Sequence, residues 1–346
     1  MKVLLTGAAG FIGCRVSMFL VRDGMEVLGV DSLCDYYDPA LKRARLRNAG
    51  IEPAADNGAL DLEEGRVYHS SRFAGFSFAM TDVRSSRFAE LAADFAPDVV
   101  IHLAAQPGVR HSTAHPEDCL EMNVMAFMRV LEVCRELKVG RMLYASSSSV
   151  YGDYPAQSFR ESDQLQTPRS VYAVSKRTNE MLADVYARMY GIKMVGMRFF
   201  SVYGPWGRPD MAPIIFTRAI MAGEPISLFN AGQLSRDFTF IDDVAHAVSR
   251  IVAIGQLVNP ESVHEVINIG HGVPTLVADF VSELEHHLGR KANIQLLPMQ
   301  PGEMRSTLAD NSRLRMQYGY SPPTTLRRGL ARLVAWAREY YGVSPD

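Results

Sequence analysis

Short runs of apolar residues recur along this chain at 3–5, 26–30, 76–80, 99–103, 141–145, 194–199 and 266–269. Most are separated by stretches of helix length, at 12–23, 84–94, 119–137 and 171–190. The runs lack the polar alternation of a strand with one wet face, so both faces must be covered. Strands of that kind, separated by helices, form a parallel sheet with helices on either side: a doubly wound α/β architecture.

Beyond residue 200 the texture changes. Gly204, Pro205, Gly207, Pro209, Pro213, Gly223, Pro225 and Gly232 break up regular structure. The predicted division is a sheet domain over 1–200 plus 238–272 and a smaller C-terminal substrate-binding domain over 201–237 plus 273–346. A helix is expected over 326–341, and the polar, patternless segment 50–74 reads as a surface insertion. Met181 and Met189 on the 171–190 helix read as core.

At 346 residues the chain is long enough for about two domains. Its 36 basic and 38 acidic residues leave a formal charge of −2, no global reason to bind nucleic acid or an anionic membrane. Cys14, Cys34, Cys119 and Cys134 form no CxxC pair or Cys/His cluster, so they read as reduced thiols. No apolar run reaches membrane length, no signal-peptide pattern is visible, and no metal-ligand spacing occurs. The expectation is a cytoplasmic protein without a metal.

Gly7-Ala8-Ala9-Gly10-Phe11-Ile12-Gly13 lies between the first strand and the first helix. Glycines there let the backbone turn tightly and approach a pyrophosphate, whose charge sits on the helix N-terminus. The second strand ends at Asp31, eighteen residues past Gly13. A carboxylate at that point accepts from the adenosine ribose hydroxyls and repels a 2′-phosphate, which favours NAD over NADP. Asp82 and Val83 end the third strand, where adenine would lie. Leu103-Ala104-Ala105-Gln106 ends the fourth, where small side chains admit a cofactor. His102 reads as a hydrogen-bonded core residue.

Tyr172 and Lys176 stand four apart on a helix, hence on one face. A neighbouring ammonium favours phenolate over phenol and makes Tyr172 a general base. Upstream, Ser146-Ser147-Ser148-Ser149-Val150-Tyr151-Gly152 follows the fifth strand, at the strand ends where ligands bind in such sheets. Each feature alone has a plainer reading, as a solvated helix face or a Ser-rich turn. Together, behind a dinucleotide turn, they point to alcohol oxidation.

These segments resemble the extended short-chain dehydrogenase/reductase superfamily, specifically its nucleotide-sugar epimerases. Within it, the stretch Arg198-Phe199-Phe200-Ser201-Val202-Tyr203-Gly204-Pro205-Trp206-Gly207-Arg208-Pro209-Asp210-Met211-Ala212 is similar to UDP-glucuronate 4-epimerases. So are Asp35-Tyr36-Tyr37-Asp38, Ala105-Gln106-Pro107-Gly108-Val109-Arg110, Arg236-Asp237-Phe238-Thr239-Phe240-Ile241-Asp242-Asp243 and Pro298-Met299-Gln300-Pro301-Gly302. The resemblance covers nearly the whole chain outside 50–74.

It implies that the sheet domain holds NAD through Gly7, Gly10, Phe11, Ile12, Gly13, Asp31, Asp82, Val83, Leu103, Ala104, Ala105, Gln106, Asn123, Tyr172, Lys176 and Phe199. Tyr172 would take the proton of the sugar 4-hydroxyl, Lys176 would hold the nicotinamide ribose, and Ser147, Ser148 and Ser149 would contact the sugar. A UDP-sugar would bind through Arg110, Ser201, Arg208, Arg236, Gln300 and Glu303, in a homodimer paired through the 119–137 and 171–190 helices. Arg208 matches a carboxylate in bidentate geometry, which a neutral hexose could not exploit; its plainer and less favoured reading is a tie for the Pro-rich loop. Ser201 and Glu303 depart from the usual Thr and Asp, and Arg305 and Cys14 are also atypical.

Four alternatives stand beside a UDP-glucuronate 4-epimerase. The 4,6-dehydratases carry an Asp-Glu pair in the strand-end motif, and the decarboxylases a Glu before Val-Tyr-Gly; Ser149 stands there instead. A UDP-galactose-type 4-epimerase would leave Arg208 without a carboxylate to bind. A non-catalytic NAD-binding regulator would not need both Tyr172 and Lys176.

Overall fold

The apolar run after Met1 forms β1 (Lys2–Thr6), and the glycine-rich turn leads into α1 (Phe11–Arg22). A computed structural model describes residues 1–52, 60–152, 158–255, 262–299 and 304–342. The alternation continues through β2 (Glu26–Asp31), α2 (Pro39–Asn48), β3 (Val67–His69), β4 (Phe76–Met80), α3 (Ser86–Phe95) and β5 (Val99–His102). Next come α4 (Val109–Ala114), α5 (Pro116–Leu120), α6 (Ala126–Glu136), β6 (Arg141–Ser147), α7 (Val171–Tyr190) and β7 (Lys193–Phe199). The remaining elements are β8 (Ser201–Tyr203), α8 (Ala212–Ala222), β9 (Pro225–Phe229), β10 (Ser235–Phe240), α9 (Ile241–Ile254), β11 (His264–Ile269), β12 (Pro274–Leu276), α10 (Val277–Leu288), β13 (Asn293–Leu297), α11 (Ser312–Tyr318) and α12 (Leu326–Tyr341).

Eight strands form one sheet in the order β11-β7-β6-β5-β1-β2-β4-β3. The pairs β1–β2, β1–β5, β2–β4 and β5–β6 are parallel, and β3 runs antiparallel to β4. From β1 the chain builds outward through β2 and β4, then returns and builds the other way through β5, β6 and β7. The reversal leaves a crevice at the carboxyl ends of β1 and β5, the topological switch point where such sheets bind ligands. Leu4, Leu28, Val30, Val100, Phe127, Leu131 and Met142 are buried around these strands, as the runs without polar alternation require.

Two compact units divide the chain. The first comprises Met1–Val150, Thr167–Arg198 and Val248–Ile267, and the second comprises Tyr151–Gln166, Phe199–Ala247 and Asn268–Asp346. Within the second lie two small sheets, β12-β10-β8 and β13-β9. Tyr203, Phe238, Phe240 and Phe280 pack there with ring centroids 4.3 to 6.1 Å apart.

Three local readings are corrected. The segment 50–74 is not simply a surface insertion: Ile51, Leu60 and Leu62 are buried, and β3 adds an edge strand. A three-residue edge strand needs no continuous apolar run, which is why polarity concealed it. The stretch 119–137 is interrupted by a π-helical turn at Glu121–Met125. Met181 and Met189 are each 65% exposed and lie outside the core. No helix among the described residues is long and apolar enough to cross a membrane.

Candidate active site

At the end of β1 the Gly7 N–H donates to the Val30 carbonyl (2.8 Å) at φ +75°, a left-handed turn suited to glycine. A Cβ on Gly7 would lie 2.7 Å from the Ala104 nitrogen, so this glycine allows the β1 and β5 loops to meet at the switch point. A Cβ on Gly13 would stand 2.0 Å from the Gly7 carbonyl oxygen, so Gly13 lets α1 close against the turn. Gly10 caps α1 without a side-chain hydrogen bond, leaving first-turn N–H groups of Phe11, Ile12 and Gly13 suited to an anion.

Asp31 ends β2, 8% exposed, and accepts from the Ala9 N–H (3.2 Å) and the Leu33 N–H (2.8 Å). The buried Lys42 ammonium sits 3.5 Å from Asp31 Oδ1 and donates to Cys34 Sγ at 3.2 Å. Sequence reasoning missed Lys42, because nothing in the spacing along α2 marks it as the partner of a strand-end carboxylate. Asp82 is clasped by Arg84, whose Nη2 lies 2.7 Å from Oδ2, and that guanidinium holds its carboxyl below the usual carboxylate range. Val83 beside it is buried. Asp82, Arg84, Ser32, Cys34, Gln106 and Met122 line one cleft.

Leu103, Ala104, Ala105 and Gln106 follow β5, the Leu103 N–H donating to the Thr6 carbonyl at 3.1 Å. Asn123, inside the π-helical turn, accepts from the Gln106 N–H (2.7 Å) and donates to the Gln106 carbonyl (3.0 Å) and to Ser175 Oγ (3.1 Å). One side chain thus ties the β5 loop to α7. The Gln106 side-chain nitrogen is buried and unpartnered among the described residues, which suits a cleft built for a polar ligand.

Ser170 caps α7 by accepting from the Ala173 N–H (3.1 Å), and Ser112 on α4 accepts from the Tyr172 N–H (3.1 Å). Arg110, two residues earlier on α4, is exposed. Lys176 Nζ lies 5.8 Å from the Tyr172 ring centroid and donates to the Ala145 carbonyl at 3.0 Å. Burial lowers the Lys176 pKa to about 8, opposed by Cys119. Ser147 ends β6, Ser148 and Ser149 open the next turn, and Ser149 Oγ donates to Ser147 Oγ at 3.0 Å. His102 is the core residue expected, 2.8 Å from Thr6 Oγ1; burial and then the Lys176 charge push its pKa down to about 3.

The first unit therefore gathers the glycine turn, Asp31, Asp82, the β5 loop, Asn123, the serines, Tyr172 and Lys176. In the second unit Phe199 ends β7, and Ser201 opens β8 and pairs with Phe238. Arg208 forms a bidentate pair with Asp210, and Arg236 donates to the Met304 carbonyl at 2.8 Å. Asp237, missed by sequence reasoning, is fully buried and accepts from the backbone N–H groups of His271, Gly272 and Ala309 and from Thr239 Oγ1. Burial raises its pKa while those donors oppose the rise. Gln300 and Glu303 lie outside the described residues.

A parallel sheet that brings a dinucleotide turn and a helix-borne tyrosine and lysine into one unit is the design of the extended short-chain dehydrogenase/reductases. The model of the NAD dependent epimerase/dehydratase family matches residues 3–270, and the chain belongs to that family. It is 36% identical to protein CapI of Staphylococcus aureus, across 99% of each chain. Its identity to UDP-glucuronate 4-epimerase 3 of Arabidopsis thaliana is 37%, across 98% of this chain and 77% of that one. The crystal structure of UDP-glucuronic acid 4-epimerase from Bacillus cereus, in complex with UDP-glucuronic acid and NAD, matches with a TM-score of 0.84 and 31% identity, covering 99% of this chain and 100% of that one.

Proposed function

We propose that the protein is a UDP-glucuronate 4-epimerase that interconverts UDP-glucuronate and UDP-galacturonate. The observation that carries this reading is near-full-length similarity to UDP-glucuronate 4-epimerases in both sequence and fold. Arg208 gives the uronate carboxylate a counter-charge that a neutral hexose would not need.

The residues of the first unit fit NAD: an uncapped helix start for the pyrophosphate, Asp31 with Lys42 at the adenosine ribose, and an unpartnered Gln106 nitrogen in the cleft. When bound, NAD supplies a hydride acceptor for C4 and then the donor to the opposite face of the 4-keto sugar. Tyr172 takes the 4-hydroxyl proton as that hydride leaves and returns it at the end. Lys176 holds the nicotinamide ribose and favours the Tyr172 phenolate. Ser147 and Ser149 orient the 4-hydroxyl, with Ser148 beside them toward the carboxylate. Ser201, Arg110, Arg236, Gln300 and Glu303 take the nucleotide sugar, with Arg236 on the diphosphate. The domain limits 1–200 plus 238–272 for NAD and 201–237 plus 273–346 for the sugar nucleotide belong to the same proposal.

The protein works as a homodimer, supported by Val174, Met181, Val185 and Met189, an exposed apolar stripe along α7. Light scattering showing a monomer would remove that part. A cytoplasmic location fits the four free cysteines. The main test is incubation of the purified protein with UDP-glucuronate while sugar protons are followed by NMR. UDP-galacturonate is expected. A pentose nucleotide as the main product would identify a decarboxylase, and turnover of UDP-galactose alone would refute the role of Arg208.

A further inference from the structure

The cleft beside Asp31 holds a thiol against a buried ammonium. Asp31 ends β2 and accepts from the Leu33 N–H at 2.8 Å, and Leu33 turns the chain at φ +51°. Cys34 follows, half-buried, and lines the cleft with Ser32, Asp82, Gln106 and Met122. From α2, Lys42 Nζ donates to Cys34 Sγ at 3.2 Å and stands 3.5 Å from Asp31 Oδ1. The Lys42 side chain is only 7% exposed, and Nζ lies 5.6 Å from the Tyr37 ring centroid. Burial lowers the Lys42 pKa, but Asp31 and Cys34 raise it by more, so the group stays charged at neutral pH.

Attack on an electrophile is made by the thiolate, and thiolates react where a cation stands beside the sulfur in a cleft that solvent reaches. Cys34 meets both conditions. The other three thiols are held back by burial. It pushes Cys134 up to about 12 and Cys14 up to about 11, the latter against the pull of Arg45 and Arg15, and it raises Cys119 as well. A second observation marks the cleft as a ligand site. The Gln106 side-chain nitrogen there is buried and has no hydrogen-bond partner among the described residues. Thiol and ligand therefore share one space: what binds there covers Cys34, and what adds to Cys34 obstructs the ligand.

Resting on the reading of this cleft as the adenosine end of the NAD site, we infer that Cys34 is a peroxide-sensitive modification site, oxidised to a sulfenic acid when the cleft is empty and then excluding NAD until a small thiol restores it. The Cys34 thiolate attacks one oxygen of hydrogen peroxide. An S–O bond forms, the O–O bond breaks, and hydroxide leaves and takes a proton from solvent; the sulfur loses the two electrons that the peroxide gains. Lys42 stabilises the attacking thiolate by donating to sulfur. The added oxygen is a stronger acceptor than sulfur, so it draws the ammonium from Asp31 and fills space at the adenosine ribose. Return takes two equivalents of a small thiol. The first displaces water and forms a mixed disulfide; the second frees Cys34 and leaves as a symmetrical disulfide.

The test exposes the NAD-free protein to dilute hydrogen peroxide, traps sulfenic acid with dimedone and maps the label by peptide mass spectrometry. Label is expected on Cys34 ahead of Cys14, Cys119 and Cys134. NAD at a hundredfold excess over its dissociation constant should slow labelling about a hundredfold, because only the free fraction reacts. Lys42→Gln keeps a donor without the charge and should slow labelling about tenfold, with a thermal melt to show that it is folded. A second readout is NAD binding by calorimetry, each protein measured against its own untreated sample. Wild type should lose binding after peroxide and regain it with dithiothreitol, and Cys34→Ser should lose none. Label spread evenly over the four cysteines, or a rate on Cys34 that NAD leaves unchanged, would overturn the inference. So would NAD binding that survives full oxidation of Cys34, and undiminished labelling in Lys42→Gln would overturn the part given to the ammonium. Failure to epimerise UDP-glucuronate would overturn the functional reading alone, since neither readout uses the sugar nucleotide.

Discussion

Replacing Lys176 with methionine should make the cofactor-free protein more stable while ending its activity. Lys176 is 2% exposed, and its ammonium donates to the Ala145 carbonyl. Burial moves its pKa from 10.5 to about 8, so at neutral pH the folded state carries about 3 kcal/mol of unfavourable desolvation for this charge. Methionine fills similar space without the charge and gives up the hydrogen bond to the Ala145 carbonyl, which offsets about 1 kcal/mol. The net gain is about 2 kcal/mol, or about 3 °C in melting temperature for a chain of this length.

The pH dependence separates this cause from ordinary repacking. The folded-state pKa lies below the unfolded one, so between about pH 8 and 10.5 the unfolded chain binds more protons and wild-type stability rises with pH. The penalty is therefore complete below about pH 8 and gone above 10.5, and the advantage of Lys176→Met should close across that window. Calorimetric melts of cofactor-free protein at several pH values provide the assay. Saturating NAD should reverse the ranking, since wild type gains binding energy that the variant lacks. A cofactor-free variant that melts below wild type, or a gap that stays constant with pH, would refute the reasoning.

Tyr172→Phe keeps the ring and removes the proton acceptor, so kcat for UDP-glucuronate should fall by about a thousandfold with little change in KM, read by the same NMR assay. Gly13→Ala drives a methyl into the Gly7 carbonyl oxygen and should cost about 3 kcal/mol as well as NAD retention, read by melting and by the cofactor recovered after purification. His102 is buried neutral with a pKa near 3, so its stability contribution is complete above about pH 6.5 and declines as pH falls toward 3. Wild type should lose about 2 kcal/mol more than His102→Asn between about pH 6.5 and pH 4.5 in urea titrations.

What could be read from the residue string was whatever the backbone itself demands. Gly7 and Gly13 declare themselves because no other residue tolerates a carbonyl or a neighbouring loop so close, and the runs of β1, β2 and β5 because both faces are covered. Tyr172 and Lys176 were legible because helical spacing alone puts them on one face. Relations fixed only by tertiary packing left no such trace. Lys42 reaches Asp31 from another element, and Asp237 satisfies backbone groups at His271, Gly272 and Ala309, far away in the chain. The short strands β8, β9, β10, β12 and β13 stayed hidden because three to six residues among prolines and glycines carry no usable period. The methionines of α7 show the reverse error: composition read Met181 and Met189 as core, and both are 65% exposed. A position whose residue type is dictated by its own backbone conformation or helical spacing can be inferred from sequence; a side chain whose partners lie in distant segments cannot.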